Sequence, residues 1–286
     1  VVSAMRAGAQ DFVVKPVGFE RLQVSLRNAL NASALKGELQ RIRHSREGRL
    51  TFSDIITRSE AMAGVLRTAQ KAASSTIPVL IEGESGVGKE LFARAIHGSS
   101  ERKAKPFVAV NCGAIPDNLV ESILFGHEKG AFTGAVARRI GKFEEATGGT
   151  LLLDEISEMD VRLQSKLLRA IQERVIDRVG GTRPVPVDIR IIATSNRNLS
   201  EAVREGSFRE DLLFRLNVVN LKIPPLRDRP ADILELAQHF AKKYAEANGL
   251  PVRPISAEAR RVLTANRWQG AAGLVWIQAT PWSGRI

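Results

Sequence analysis

The segment Gly83-Glu84-Ser85-Gly86-Val87-Gly88-Lys89 constrains this chain more than any other. An apolar run, Val79-Leu80-Ile81, leads straight into it, and an amphipathic stretch over residues 90–97 follows. In that strand-to-helix setting a Gly-x-x-x-x-Gly-Lys segment becomes a phosphate cradle. Its glycines let backbone N–H groups turn inward, the helix N-terminus adds partial positive charge, and Lys89 reaches the β- and γ-phosphates. The plainer alternative is a Gly-rich turn that closes a strand. Glu90 stands where most such loops carry a Ser or Thr on Mg²⁺, so a carboxylate there holds the metal only in another way, through water.

The surroundings have the same character. From Ile55 onward, short apolar strands alternate with amphipathic helices: Val79-Leu80-Ile81, Phe107-Val108-Ala109-Val110, Leu151-Leu152-Leu153, Ile189-Arg190-Ile191-Ile192 and Val218-Val219-Asn220-Leu221. That alternation predicts an α/β fold with a parallel sheet covered on both faces. Pro224-Pro225 closes the unit, and helical stretches over residues 231–248 and 256–265 make a small helical domain, the second opened by Ser256 as N-cap with Glu258 in its first turn. Ahead of the sheet, the first thirty residues read helix, strand, helix, broken at Lys15-Pro16. The polar stretch after them carries Leu35, Leu39 and Ile42 at helical spacing, as a linker helix would.

Composition bounds the function classes. The 286 residues suffice for one large domain and part of another. The single cysteine, Cys112, cannot form an internal disulfide, and neither a secretory segment nor a run of about eighteen apolar residues is present, so a cytoplasmic protein without membrane contact is expected. The formal charge of +11 calls for an anionic partner, whether nucleic acid, a membrane surface or nucleotide phosphates. Yet Arg41, Arg43, Arg46 and Arg49, and separately Arg102, Lys103 and Lys105, are scattered as on solvated faces rather than gathered on a DNA-reading helix.

Further segments carry chemistry. Leu151-Leu152-Leu153-Asp154-Glu155 delivers two carboxylates at the carboxyl end of a strand, where ligands of parallel sheets sit. Asp154 suits Mg²⁺ and Glu155 suits polarising an attacking water, although acids in this position also cap helices. Thr194-Ser195-Asn196 ends another strand with side chains able to sense a γ-phosphate, or simply forms a turn. Arg209 and Arg215 flank an apolar helical turn, either reaching a neighbouring subunit's nucleotide or forming surface ion pairs.

The stretch Glu121-Ser122-Ile123-Leu124-Phe125-Gly126-His127-Glu128-Lys129-Gly130-Ala131-Phe132-Thr133-Gly134-Ala135 resembles the signature of sigma-54-interacting AAA+ activators, the nitrogen-regulator-C-like family. The resemblance covers residues 55–270. It implies an AAA+ P-loop NTPase sheet with a small helical lid, working on ATP with Mg²⁺. Within it, Gly83, Glu84, Ser85, Gly86, Val87, Gly88, Lys89 and Glu90 bind the nucleotide and Asp154 the metal. Glu155 is the catalytic glutamate, Asn111 the residue that restrains it, Asn196 sensor I, and Arg209 with Arg215 the arginine fingers given to a neighbour in a hexameric or heptameric ring. Residues 130–135 (Gly130, Ala131, Phe132, Thr133, Gly134, Ala135) form the loop that presses on sigma-54, with Phe132 and Thr133 as contacts, so the implied partner is sigma-54 RNA polymerase holoenzyme. Glutamate at Glu90 is usual in the family.

Residues 4–12 with Lys15-Pro16 resemble the last third of a two-component receiver domain. The expected organisation is therefore a receiver remnant (1–31), a linker helix (32–52), the ATPase core (53–226), the lid (227–270) and an aberrant tail (271–286). That tail has Ala271-Ala272-Gly273-Leu274-Val275 where the family continues with Asn-Val-Arg-Glu-Leu, which removes the sensor II arginine. The expectations drawn from it are a shifted reading frame, a missing DNA-binding helix-turn-helix, and a second reading of the chain as a catalytically impaired nucleotide-binding remnant. Another AAA+ machine acting on a different polymer is disfavoured by residues 130–135.

Overall fold

The computed structural model describes residues 50–268. The receiver-like segment, residues 32–49 of the linker and the tail from 269 onward lie outside the described residues.

Five parallel strands form the central sheet: β1 (Val79–Glu82), β2 (Phe107–Asn111), β3 (Thr150–Asp154), β4 (Arg190–Ser195) and β5 (Val219–Lys222). Their spatial order is β2-β3-β4-β1-β5. The fourth strand in sequence, β4, is thus threaded between β1 and β3. Register sets Glu82 beside Ser195, Asn111 beside Asp154 and Leu153 beside Ala193, so the carboxyl ends of four strands, β1 to β4, lie together on one edge.

Successive side chains on a strand point to opposite faces, and both faces are apolar here. Leu80, Leu151, Leu153, Ile191 and Ala193 pack one way, against Leu124, Phe143, Leu163, Leu167, Leu212 and Leu216. Val79, Ile81, Leu152, Ile192 and Leu221 pack the other way, against Met62, Ala69, Phe92 and Ile96. The covering helices are α1 (Glu60–Ala73), α2 (Lys89–Gly98), α3 (Asp117–Phe125), α4 (Val161–Glu173), α5 (Leu199–Arg204) and α6 (Glu210–Leu216). Helix α4 shows the local logic. Asp160 caps it by accepting from the Arg162 N–H at 2.8 Å, and Leu163, Leu167 and Ala170 bury one face at helical spacing. At the other end of the sheet Arg190, 1 % exposed, donates to the Ala72 and Ala73 carbonyls at 2.6 and 3.2 Å, closing the carboxyl end of α1. Burial pushes its pKa down to about 10.

After β5 a short 3₁₀ turn (Leu226–Asp228) leads into α7 (Pro230–Ala247) and α8 (Ala257–Ala265). Leu226, Ile233 and Trp268, with Leu236 and Leu263 beside them, give this part its own small core. Pro230 sits in the first turn of α7, where its missing N–H costs nothing, and Ser256 caps α8 by accepting from the Ala259 N–H at 3.1 Å.

The sheet carries on past the apolar runs. Strands β3 and β4 continue into Asp154 and Ser195, because backbone pairing persists after the hydrophobic pattern ends. Two short antiparallel ribbons, Gly126–His127 with Arg139–Ile140 and Val175–Ile176 with Val185–Pro186, are too brief for any periodicity to reveal.

Candidate active site

The loop after β1 is anchored by the Gly83 N–H donating to the Ser195 carbonyl at 3.1 Å. Only glycine fits there, since a Cβ on Gly83 would lie 2.8 Å from the Ile223 carbonyl oxygen. Ser85 and Gly86 form the exposed tip, while Val87 packs back on the core. Lys89 is 7 % exposed and donates from Nζ to the Gly83 and Glu84 carbonyls at 2.8 and 3.0 Å. Burial pushes its pKa below the ordinary lysine range, and the facing charges of Asp154 and Glu155 pull it partly back. Glu90 points outward into an ion pair with Arg94 at 2.7 Å.

The carboxylates stand at the end of β3. Asp154 Oδ1 accepts from the buried Thr194 hydroxyl at 2.6 Å, and its Oδ2 from the Asn111 amide at 3.3 Å. Thr194 Oγ1 in turn accepts from the Glu155 N–H at 3.0 Å. Glu155 holds φ 55° and ψ 49°, a left-handed conformation that a residue with a Cβ adopts only when its surroundings impose it. The Asn111 amide therefore meets Asp154 rather than Glu155, as the β2–β3 register dictates, and its oxygen accepts from the N–H groups of Gly113 and Ala114, both at 2.9 Å. Asn196 lies exposed just past β4, touched by the Ser157 hydroxyl at 3.5 Å. Cys112 is buried beneath, and burial first, then the two carboxylates, push its thiol up to about 12.

Three further groups come from far along the chain. Arg227 pairs with Glu84 of the loop at 2.8 Å and holds that carboxyl below its usual range. Arg229, 6 % exposed, donates to the Val87 carbonyl at 3.0 Å and lies 3.7 Å from Asp232. Burial pushes the Arg229 pKa down, against the pull of Asp232. Asp232 is fully buried and accepts from the Thr57 hydroxyl, the Arg58 N–H and the Ser59 N–H at 2.7, 2.7 and 3.0 Å. In the sequence, only Pro224-Pro225 marked this region, as the close of the sheet. The local sequence signal for the cluster is the charge alternation Arg227-Asp228-Arg229 followed by Asp232, which stands in the first turn of α7.

The other expected site residues stand apart from this cluster. Residues 130–135 form a compact turn, with the Gly130 N–H donating to the Ala135 carbonyl at 2.8 Å and the Ala135 N–H to the Phe132 carbonyl at 3.0 Å. Thr133 is exposed, and Phe132, 41 % exposed, rests edge-on against the His127 ring with centroids 5.0 Å apart. Arg178 ties the base of this turn to the neighbouring ribbon through Glu128 and Glu144, both at 2.9 Å. Arg209 forks onto Asp211 and reaches the Ser165 hydroxyl at 3.1 Å, while Arg215 is exposed beside Phe214.

A cation inside a glycine loop, facing two carboxylates at the carboxyl edge of a parallel sheet, is the arrangement of a P-loop NTPase. Residues 55–222 match the family model described as the Sigma-54 interaction domain. The chain belongs to that family. Residues 227–271 of this sigma-54 interaction domain protein match the AAA+ ATPase lid domain, so the sheet and helices are an AAA+ core with its lid. The chain is 58% identical over 268 residues to the transcriptional regulatory protein FlbD of Caulobacter vibrioides, covering 94% of this chain and 55% of FlbD. It is 49% identical over 269 residues to the regulatory protein AtoC of Escherichia coli strain K12, covering 94% and 58%. A crystal structure of NtrX from Brucella abortus in complex with ATP superposes with a TM-score of 0.71 at 41% identity, covering 94% of this chain and 60% of NtrX. The chain thus spans little more than half the length of these relatives. Among the described residues no helix is long and apolar enough to cross a membrane.

Proposed function

We propose that this chain hydrolyses ATP to drive a sigma-54-dependent transcription activator, remodelling sigma-54 RNA polymerase holoenzyme so that a promoter opens. The observation that carries the reading is Lys89, buried in the loop and facing Asp154 and Glu155 across the sheet edge. The loop backbone and Lys89 bind the phosphates, a reading supported by the chain's similarity to NtrX, whose crystal structure is in complex with ATP. Asp154 holds Mg²⁺, which neutralises phosphate charge when bound. Glu155 orients the attacking water, Asn196 reads the γ-phosphate, and Arg209 and Arg215 serve a neighbour's nucleotide in a ring. Phe132 and Thr133 carry the resulting stroke to sigma-54.

Nucleotide binding and turnover by the chain and two variants test this reading. Lys89→Ala is expected to lose nucleotide binding. Glu155→Gln is expected to keep ATP while turnover falls by roughly a hundredfold or more. Retained affinity in the first variant, or unchanged turnover in the second, overturns the assignment. A second reading, binding without turnover, is favoured by residues 271–275 lacking the family's arginine. It predicts no turnover by the parent chain at any protein concentration.

A further inference from the structure

A trans peptide unit is planar, so its carbonyl and its N–H point in opposite directions. In the unit joining Val87 to Gly88, the carbonyl oxygen is held by Arg229 at 3.0 Å. The Gly88 N–H is thereby aimed the other way, away from the lid. It donates to no backbone acceptor among the described residues, and a Cβ built on Gly88 (φ +104°) meets nothing within 4 Å. Gly88 is also the N-cap of α2, where an unpaired N–H is an anion-binding group.

We infer that Arg229 is a positioning residue for phosphate binding, acting through the Val87–Gly88 peptide; this rests on the nucleotide reading proposed above. The two buried cations divide the loop between them. Lys89 holds the carbonyls of Gly83 and Glu84, and Arg229 holds that of Val87. A peptide flanked by glycine turns over easily, and the reversed orientation would aim a carbonyl oxygen at the phosphates. A guanidinium suits the role because it stays charged and its donors lie in a fixed fork. The fork is itself held in place, since Asp232 lies 3.7 Å from one arm and is locked by its bonds to Thr57, Arg58 and Ser59. The lid is therefore part of the phosphate site, not merely a cover over it.

The test measures displacement of a fluorescent ADP by ADP, inorganic pyrophosphate and adenosine, using the full chain and its Arg229→Met and Arg229→Lys variants. Arg229→Met is expected to weaken ADP and pyrophosphate by the same factor, roughly ten- to a hundredfold, with adenosine unchanged. Arg229→Lys, which keeps the charge and one donor, is expected to fall between, and it carries the test alone if the methionine variant does not fold. Unchanged pyrophosphate affinity overturns the inference, and so does an equal loss for adenosine, which marks general loosening of the site. A parent chain that binds neither ADP nor pyrophosphate defeats the nucleotide reading instead.

Discussion

Thr194 does two things with one hydroxyl, donating to Asp154 and accepting from the Glu155 N–H. It holds one carboxylate in orientation and stabilises the left-handed turn that presents the next. Thr194→Val keeps the shape and removes both bonds, so a loss of about 1–3 kcal/mol in stability is expected from urea unfolding, with turnover falling more than nucleotide affinity. Equal loss of both would place Thr194 in binding rather than in orienting the turn. Neighbouring Cys112 belongs to the packing. With its thiol pushed up to about 12, almost none is thiolate near neutrality, so the native chain is expected to resist alkylation until it is unfolded. Asp154 and Glu155 were legible in the sequence because an apolar strand runs into them. Thr194 was legible only as one of several polar residues ending a strand, because nothing local says which of them turns toward a carboxylate 40 residues earlier in the chain.

The loop of residues 130–135 and the ribbon beside it are joined at the level of elements by Arg178, whose side chain is 12% exposed, pairing with Glu128 and Glu144. Burial is the largest single influence and works to raise the Glu144 pKa, but the Arg178 hydrogen bond, the Gly141 N–H and the charges of Arg178 and Arg138 together outweigh it, so the carboxyl sits below its usual range. A carboxylate depressed in the folded state stabilises fully above its unfolded pKa and loses that contribution as the pH falls through the folded one. Arg178→Ala is therefore expected to cost about 2 kcal/mol at neutral pH, and the gap to the parent should close in acid. Denaturant midpoints at the two pH values check it, and a gap independent of pH would rule the pair out as its source. Thr133 sits at the other end of the same loop, exposed and bonded to neither carboxylate. Thr133→Ala should leave ATP turnover largely intact while sigma-54 capture in pull-down is lost; joint loss would draw the loop into the active site. The hexapeptide was readable from its residues, whereas the ribbon that supports it was not, since strands of two residues carry no pattern.

On the scale of the whole molecule, Arg215 lies exposed on α6 with Phe214 at 76% and Val218 at 54% exposure nearby. A ring in which this face meets a neighbour's nucleotide makes turnover depend on assembly. Turnover per chain should then rise steeply with protein concentration, and Arg215→Ala should lower it by on the order of a thousandfold while single-chain nucleotide affinity persists. Turnover that is flat with concentration would remove the arginine from the chemistry. By itself the sequence determined everything encoded over a few consecutive residues: five apolar strands, the glycine loop with Lys89, the carboxylates ending a strand, and the hexapeptide that marks the family. Only the tertiary structure decided that β4 threads between β1 and β3, bringing Thr194 to Asp154, and that Arg229 meets the Val87 carbonyl 142 residues earlier. It likewise decided that Asp232 meets the Arg58 N–H 174 residues away. The physical reason is that periodicity and turn chemistry act within one element, while contacts between distant residues follow from strand order and from how a lid packs back on its loop.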